Sequence, residues 1–123
     1  MNTLQIIGII LTIAVGIEHI GIGFLEIFGK PATQAKAFDL SIEYVEQKEA
    51  HISMANQGIY NAMIGLLITV AYFMFPTKWL FPFWYLMLAL IVVVALFGGF
   101  TATKKIFLVQ MLPALIALVF LFI

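Results

Sequence analysis

Four stretches of this chain, residues 3–28, 53–75, 79–100 and 106–123, each run eighteen residues or more with hardly a charge among them. About 20 apolar residues at a rise of about 1.5 Å each are what a helix needs to cross a hydrocarbon core of about 30 Å. Only helices and closed barrels satisfy their backbone in lipid, and these runs are continuous rather than alternating in polarity, so they predict helices. Composition agrees: 64% of the 123 residues are hydrophobic and 10% charged, far more apolar than a soluble domain of that size can hide. The sequence therefore predicts an all-α, multi-pass protein of the cell membrane, with residues 1–123 forming a single domain of four transmembrane helices.

Breakers mark the connections. Gly29-Lys30-Pro31 closes the first run, Phe75-Pro76-Thr77-Lys78 the second, and Thr101 to Lys105 separates the third from the fourth. Two of these turns are so short that the helices they join must be antiparallel neighbours, which predicts an up-down bundle. The long connection at 29–52 carries most of the charge, and Asp39 or Ser41 is expected to cap the start of the second helix, which would extend from there into the bilayer. The chain has no arginine, and the connections after the first and third runs hold Lys30, Lys36, Lys48, Lys104 and Lys105 against Lys78 on the other side. Five lysines against one place the long connection in the cytoplasm and both termini outside. Trp79, Trp84 and Tyr85 then read as aromatic anchors at the outer interface. The first run lacks the basic start and clean apolar centre of a cleaved signal peptide and is expected to stay.

Within the apolar runs, polar groups gather at one depth. Glu18 and His19 fall about 15 Å from the cytoplasmic end of the first helix, Glu26 close to that end, Asn56, Gln57 and Asn61 within a few turns of the second helix's entry, and Gln110 level with Asn56 and Gln57. At about 100° per residue, His19 and Glu26 lie about 20° apart, and Glu18 fits the same broad face; Asn56, Gln57, Tyr60 and Asn61 span about 140° of the second helix. A charge at mid-bilayer costs at least about 2.5 kcal/mol, so these faces are expected to meet around a polar pocket open to the cytoplasm. Glu18 or His19 is expected to hydrogen-bond a polar side chain of the second helix. Gly21, Gly23, Gly58 and Gly65 read as positions of close helix approach.

Two of these motifs also carry a resemblance. A Glu18-His19 pair followed by Leu25-Glu26-Ile27-Phe28, and then Ala55-Asn56-Gln57-Gly58-Ile59-Tyr60-Asn61, resemble the bacterial integral membrane family catalogued as domain of unknown function thirteen-zero-four. The resemblance covers essentially the whole chain. It implies four membrane helices and a shared polar core, and no established activity.

The polar residues admit several roles. Interhelical hydrogen bonds alone are worth about 0.6 kcal/mol on average, enough to explain Asn61 or Gln110 as glue. Glue needs no carboxylate beside an imidazole, however, and the reading preferred here is a pocket for a lipid-like or small polar ligand, with Glu26, Asn56, Gln57, Tyr60, Asn61 and Gln110 as binding residues. Under an enzyme reading Glu18 and His19 are catalytic and move a proton, as an isomerase or epimerase requires. Under a transport reading the same acids relay protons, and four helices would need a homo-oligomer to form a path. A metal site is not expected: His19 and His51 are the only histidines, there is no cysteine, and His51 lies at the surface. The residues name no cofactor. The expected partners are membrane lipids, a small-molecule ligand and further copies of the chain, and zero formal net charge argues against nucleic acid.

Overall fold

The structure is a computed structural model that describes residues 1–123, and it is helical throughout, without strands. Helix α1 (Thr3–Phe28) opens on a reciprocal cap, in which the Asn2 side chain accepts from the Gln5 backbone N–H at 2.8 Å and the Gln5 side chain accepts from the Asn2 N–H at 3.2 Å. It ends at Gly29, because Pro31 disfavours helical backbone at Lys30 before it. The same proline starts α2 (Pro31–Phe38), where its missing N–H is not needed. Gln34, fully buried, folds α2 back onto α1 by donating from Nε2 to the carbonyls of Leu25 (2.9 Å) and Glu26 (3.1 Å), two of the carbonyls that a helix end leaves without partners. Asp39 then turns left-handed (φ 54°), the N–H of Leu40 closes on the Ala35 carbonyl at 3.0 Å, and Ser41 caps the single turn α3 (Ile42–Val45).

The second long helix, α4 (Lys48–Met74), begins at Lys48. The expectation that it starts at Asp39 or Ser41 is corrected here. Val45 is fully buried and holds α3 against the rest of the molecule, so the chain has to break at Gln47, in extended backbone, before setting off in a new direction. Helix α5 spans Thr77–Thr101; a π-helical stretch, Phe107–Met111, leads into α6 (Leu112–Phe122). Pro113 explains the wider winding: it has no N–H for the carbonyl four residues back and its ring crowds that carbonyl, so the preceding turn opens. Three helices, α1, α4 and α5, are long and apolar enough to cross a membrane; the fourth apolar stretch, Phe107–Phe122, is shorter.

The packing follows small residues. Helices α1 and α4 run antiparallel with Gly16 against Gly65 and Gly23 against Gly58, and their backbones touch: a Cβ at Gly58 would lie 2.8 Å from the Gly23 carbonyl oxygen, and one at Gly16 would lie 3.0 Å from that of Gly65. On another side of α1, a Cβ at Gly8 would meet the Leu121 backbone at 2.9 Å, which brings α6 alongside. Gly21, expected to be a packing position, has open space around it, and Gly16 takes that role instead. Helix α5 packs on α6 and the π stretch, and meets α4 mainly near their shared Phe75-Pro76 hairpin. There Trp84 is completely buried, stacks beside Tyr72 and donates from Nε1 to the Ile68 carbonyl at 3.0 Å. It is a core residue, not an interfacial anchor, because the indole fills the wedge between two helices joined by a tight turn. Trp79 is exposed beside Lys78, whereas Tyr85 is half-buried, stacked on Phe122 and bonded to the Leu121 carbonyl at 3.3 Å. The apolar core (Val15, Ile68, Trp84, Leu88, Ile91, Ala117, Leu121) lies on the hairpin side, and away from the hairpin α4 and α5 diverge.

Candidate functional site

The divergence of α4 and α5 leaves a groove of about 690 Å³. One wall is polar: Ser53, Asn56, Gln57, Tyr60 and Asn61 of α4, with Gln110 of the π stretch. The other is apolar: Leu90, Val94 and Phe97 of α5. A second cavity, of about 220 Å³, sits where α1 ends, between Glu26, the α2–α3 segment (Phe38, Leu40, Tyr44), the start of α4 (Ala50, Ser53, Met54, Gln57) and the turn after α5 (Ala102, Thr103, Ile106). Ser53, Gln57, Ala102 and Ile106 belong to both walls, so the cavity and the groove adjoin. Pockets of about 300–1,000 Å³ with mainly apolar walls and a few convergent polar groups are the usual form of a small-molecule site.

Beside the junction stands the one side-chain to side-chain hydrogen bond between the long helices. Asn61 Nδ2 donates to Glu26 Oε1 at 2.6 Å, and Glu26 is 2% exposed. Helical side chains lean toward their own N-terminus. In this antiparallel pair, Glu26 therefore leans toward the middle of α4, and Asn61 leans back toward the end of α1. Gly58 makes the approach feasible, since a Cβ there would lie 2.9 Å from the Cβ of Glu26.

Glu18 and His19 behave otherwise. His19 is 2% exposed, and its Nδ1 donates to the Val15 carbonyl of its own helix at 2.9 Å. That bond commits the Nδ1 proton to the backbone, and Glu18 Oε1, 3.9 Å away and buried, has no hydrogen-bond partner. The expectation that one of the two bonds a polar side chain of the second helix is therefore wrong; Glu26 makes that bond. The glycine contacts hold the two backbones together on both sides of His19, and the imidazole turns its Nδ1 to its own helix. Neither Glu18 nor His19 lines the cavity or the groove. Of the other candidates, Asn56, Gln57, Tyr60, Asn61 and Gln110 share the groove, with Tyr60 67% exposed at its edge, while Glu26 belongs to the cavity. No three histidine, aspartate or glutamate side chains are grouped as a metal ion would require, and His51 is exposed at the start of α4.

A polar tie that the sequence reading missed spans the cavity's outer edge. Asp39 accepts from the Thr103 hydroxyl at 2.6 Å and pairs with the Lys105 ammonium at 2.8 Å, and Lys105 also donates to the Lys36 carbonyl at 3.2 Å. Lys105, with Thr103 beside it, holds the Asp39 carboxyl below the usual aspartate range. The tie joins the α2–α3 segment to the turn after α5, and it was hidden in a lysine pair read only for its charge.

Fold and site together describe a helical protein of membrane-crossing length, with a polar seam let into otherwise apolar helices. The family described as Protein of unknown function (DUF1304) matches residues 13–122, and the chain belongs to that family. It is similar to a protein of Lactococcus lactis subsp. lactis, the uncharacterized protein YpaA, with 35% identity over 117 residues that cover 94% of this chain and 97% of that one. No solved structure matches.

Proposed function

We propose that this is a multi-pass protein of the cell membrane, with four transmembrane helices and both termini outside, whose polar pocket opens to the cytoplasm and binds a lipid-like ligand. The observation that carries the reading is that the two spaces adjoin along Ser53, Gln57, Ala102 and Ile106. An amphiphile needs polar groups for its head and an apolar wall for its chain, and the carboxyl of Glu26 in the cavity and the wall of Leu90, Val94 and Phe97 in the adjoining groove support such a fit. A small wholly polar ligand would use the recess but leave the apolar wall idle. Proton transfer by Glu18 and His19, as an isomerase or epimerase, and proton-coupled transport by a homo-oligomer gain less support, because that pair lies outside both walls.

The test is thermal unfolding of the purified protein in detergent, with and without fractions of a host lipid extract, for the wild type and for Ser53→Trp. The indole at the shared wall fills the junction. A ligand that binds the folded state raises its melting temperature by mass action. Stabilisation of the wild type by a lipid fraction, lost in Ser53→Trp, is the expected result; equal behaviour of the two proteins in every fraction would refute the pocket.

A further inference from the structure

The walls of the cavity and groove have a charge pattern that selects among amphiphiles. The cavity contains one ionisable acid, Glu26, and no lysine or histidine; the groove contains no charged residue at all. Two lysines adjoin the cavity's lining in sequence and neither enters it: Lys105 has its ammonium engaged by Asp39 and by the Lys36 carbonyl, and Lys104 is exposed outside both walls. The other donors of the polar wall are neutral amides and hydroxyls, and the Asn61 amide is already given to Glu26. An anionic head would thus enter an apolar-walled recess beside a carboxyl group with no cation to meet it, and burying a charge without a partner is strongly disfavoured. A head that donates hydrogen bonds meets acceptors in the cavity: the Glu26 carboxyl group, the side-chain carbonyl of Gln57, and the Tyr44 and Ser53 hydroxyls.

We infer that the ligand is a single-chain amphiphile drawn from the bilayer whose head donates hydrogen bonds and carries no negative charge, an amine or an alcohol. The inference rests on the pocket reading above and adds the class of head. An ammonium head would make charge-assisted bonds to Glu26, which are about twice as strong as neutral ones, so the amine ranks above the alcohol.

Three probes with one twelve-carbon chain separate the possibilities: dodecylamine, 1-dodecanol and dodecyl phosphate, titrated into the wild type, Glu26→Gln and Ser53→Trp in the same neutral detergent, with thermal unfolding as the readout. The wild type is expected to bind the amine about tenfold more tightly than the alcohol, the margin that a charge-assisted bond supplies, and the phosphate more weakly than either. Glu26→Gln is expected to bring amine and alcohol to equal affinity while keeping the alcohol's stabilising shift. Ser53→Trp is expected to lose the shift for every probe, and any shift it retains measures bulk partitioning. Dodecyl phosphate binding as tightly as the amine, with the loss in Ser53→Trp intact, would overturn the assignment of the head and leave the pocket standing. Shifts equal in the wild type and Ser53→Trp for all three probes would remove the pocket, and the inference with it. Should Glu26→Gln fail to fold, the wild-type ranking of the three heads decides alone.

Discussion

Two glycines of the long helices, Gly21 and Gly58, give opposite answers to the same substitution. Gly58 faces Gly23 and Glu26 across the α1–α4 contact, whereas Gly21 faces open space. Alanine is favoured over glycine in a helix by about 0.5–1 kcal/mol, so Gly21→Ala should stabilise by roughly that amount. At Gly58 the new Cβ would sit 2.8 Å from the Gly23 carbonyl oxygen, 0.6 Å inside the 3.4 Å at which ordinary contact begins. The obstacle is backbone, which cannot rotate aside, so the helices must separate. Overpacking of this kind costs about 1–3 kcal/mol, which exceeds the gain in helix propensity. The separation also lengthens the Asn61–Glu26 bond, worth about 0.6 kcal/mol on the membrane average. Unfolding by titration with sodium dodecyl sulfate in mixed micelles should therefore move Gly21→Ala and Gly58→Ala in opposite directions from the wild type. Equal shifts, or a stabilised Gly58→Ala, would show that the backbones do not touch there and would undo the register on which the site is built.

Other expectations follow from single contacts. A reporter fused after Ile123 should report the outside and a tag inserted near Lys36 the cytoplasm; the reverse would turn the pocket to the outer face. Trp84→Phe removes the Nε1 bond to Ile68 and leaves a small void, and should cost about 1–2 kcal/mol in the same titration; no loss would mean that the indole is not wedged as described. Asp39→Asn should raise the rate of protease cleavage within residues 31–47 several-fold with little change in global stability, since the ion pair is exposed. Because the folded state lowers the Asp39 pKa, its contribution is fully present above the ordinary aspartate value of about 3.9 and is lost as pH falls through the lower folded value. Acid should therefore reproduce the Asp39→Asn cleavage pattern in the wild type, and a pattern insensitive to pH would dismiss the tie.

What was legible in the sequence was what depends on one helix at a time. The long helices announce themselves because lipid demands length and apolarity together, and the gathering of Asn56, Gln57, Asn61 and Gln110 on one groove follows from their spacing along the helices. What depends on two helices was less so. Angular arithmetic puts His19 and Glu26 on one face, but which of them meets a partner is decided by where Gly16 and Gly23 bring the backbones of α1 and α4 together, and by the lean of Asn61 toward Glu26. Trp84 looked interfacial because its position near a turn suits an anchor equally well; only the narrowness of the α4–α5 wedge makes it core. The break at Gln47 carries no proline or glycine, and it arises from the burial of Val45, a tertiary cause that local signals do not record.

The shortness of the last apolar stretch has a consequence for the surrounding lipid. The sixteen residues Phe107–Phe122 reach about 24 Å at the usual rise, several ångströms short of a hydrocarbon core of about 30 Å. In the four-helix arrangement proposed, α1, α4 and α5 match a bilayer that α6 does not. The lipid beside α6 must then thin or the helix ends must be sheltered, at fractions of a kcal/mol per ångström of mismatch. Short-chained lipids would relieve that strain, so the protein should gather them along its α6 face and settle by preference in thinner regions of the membrane.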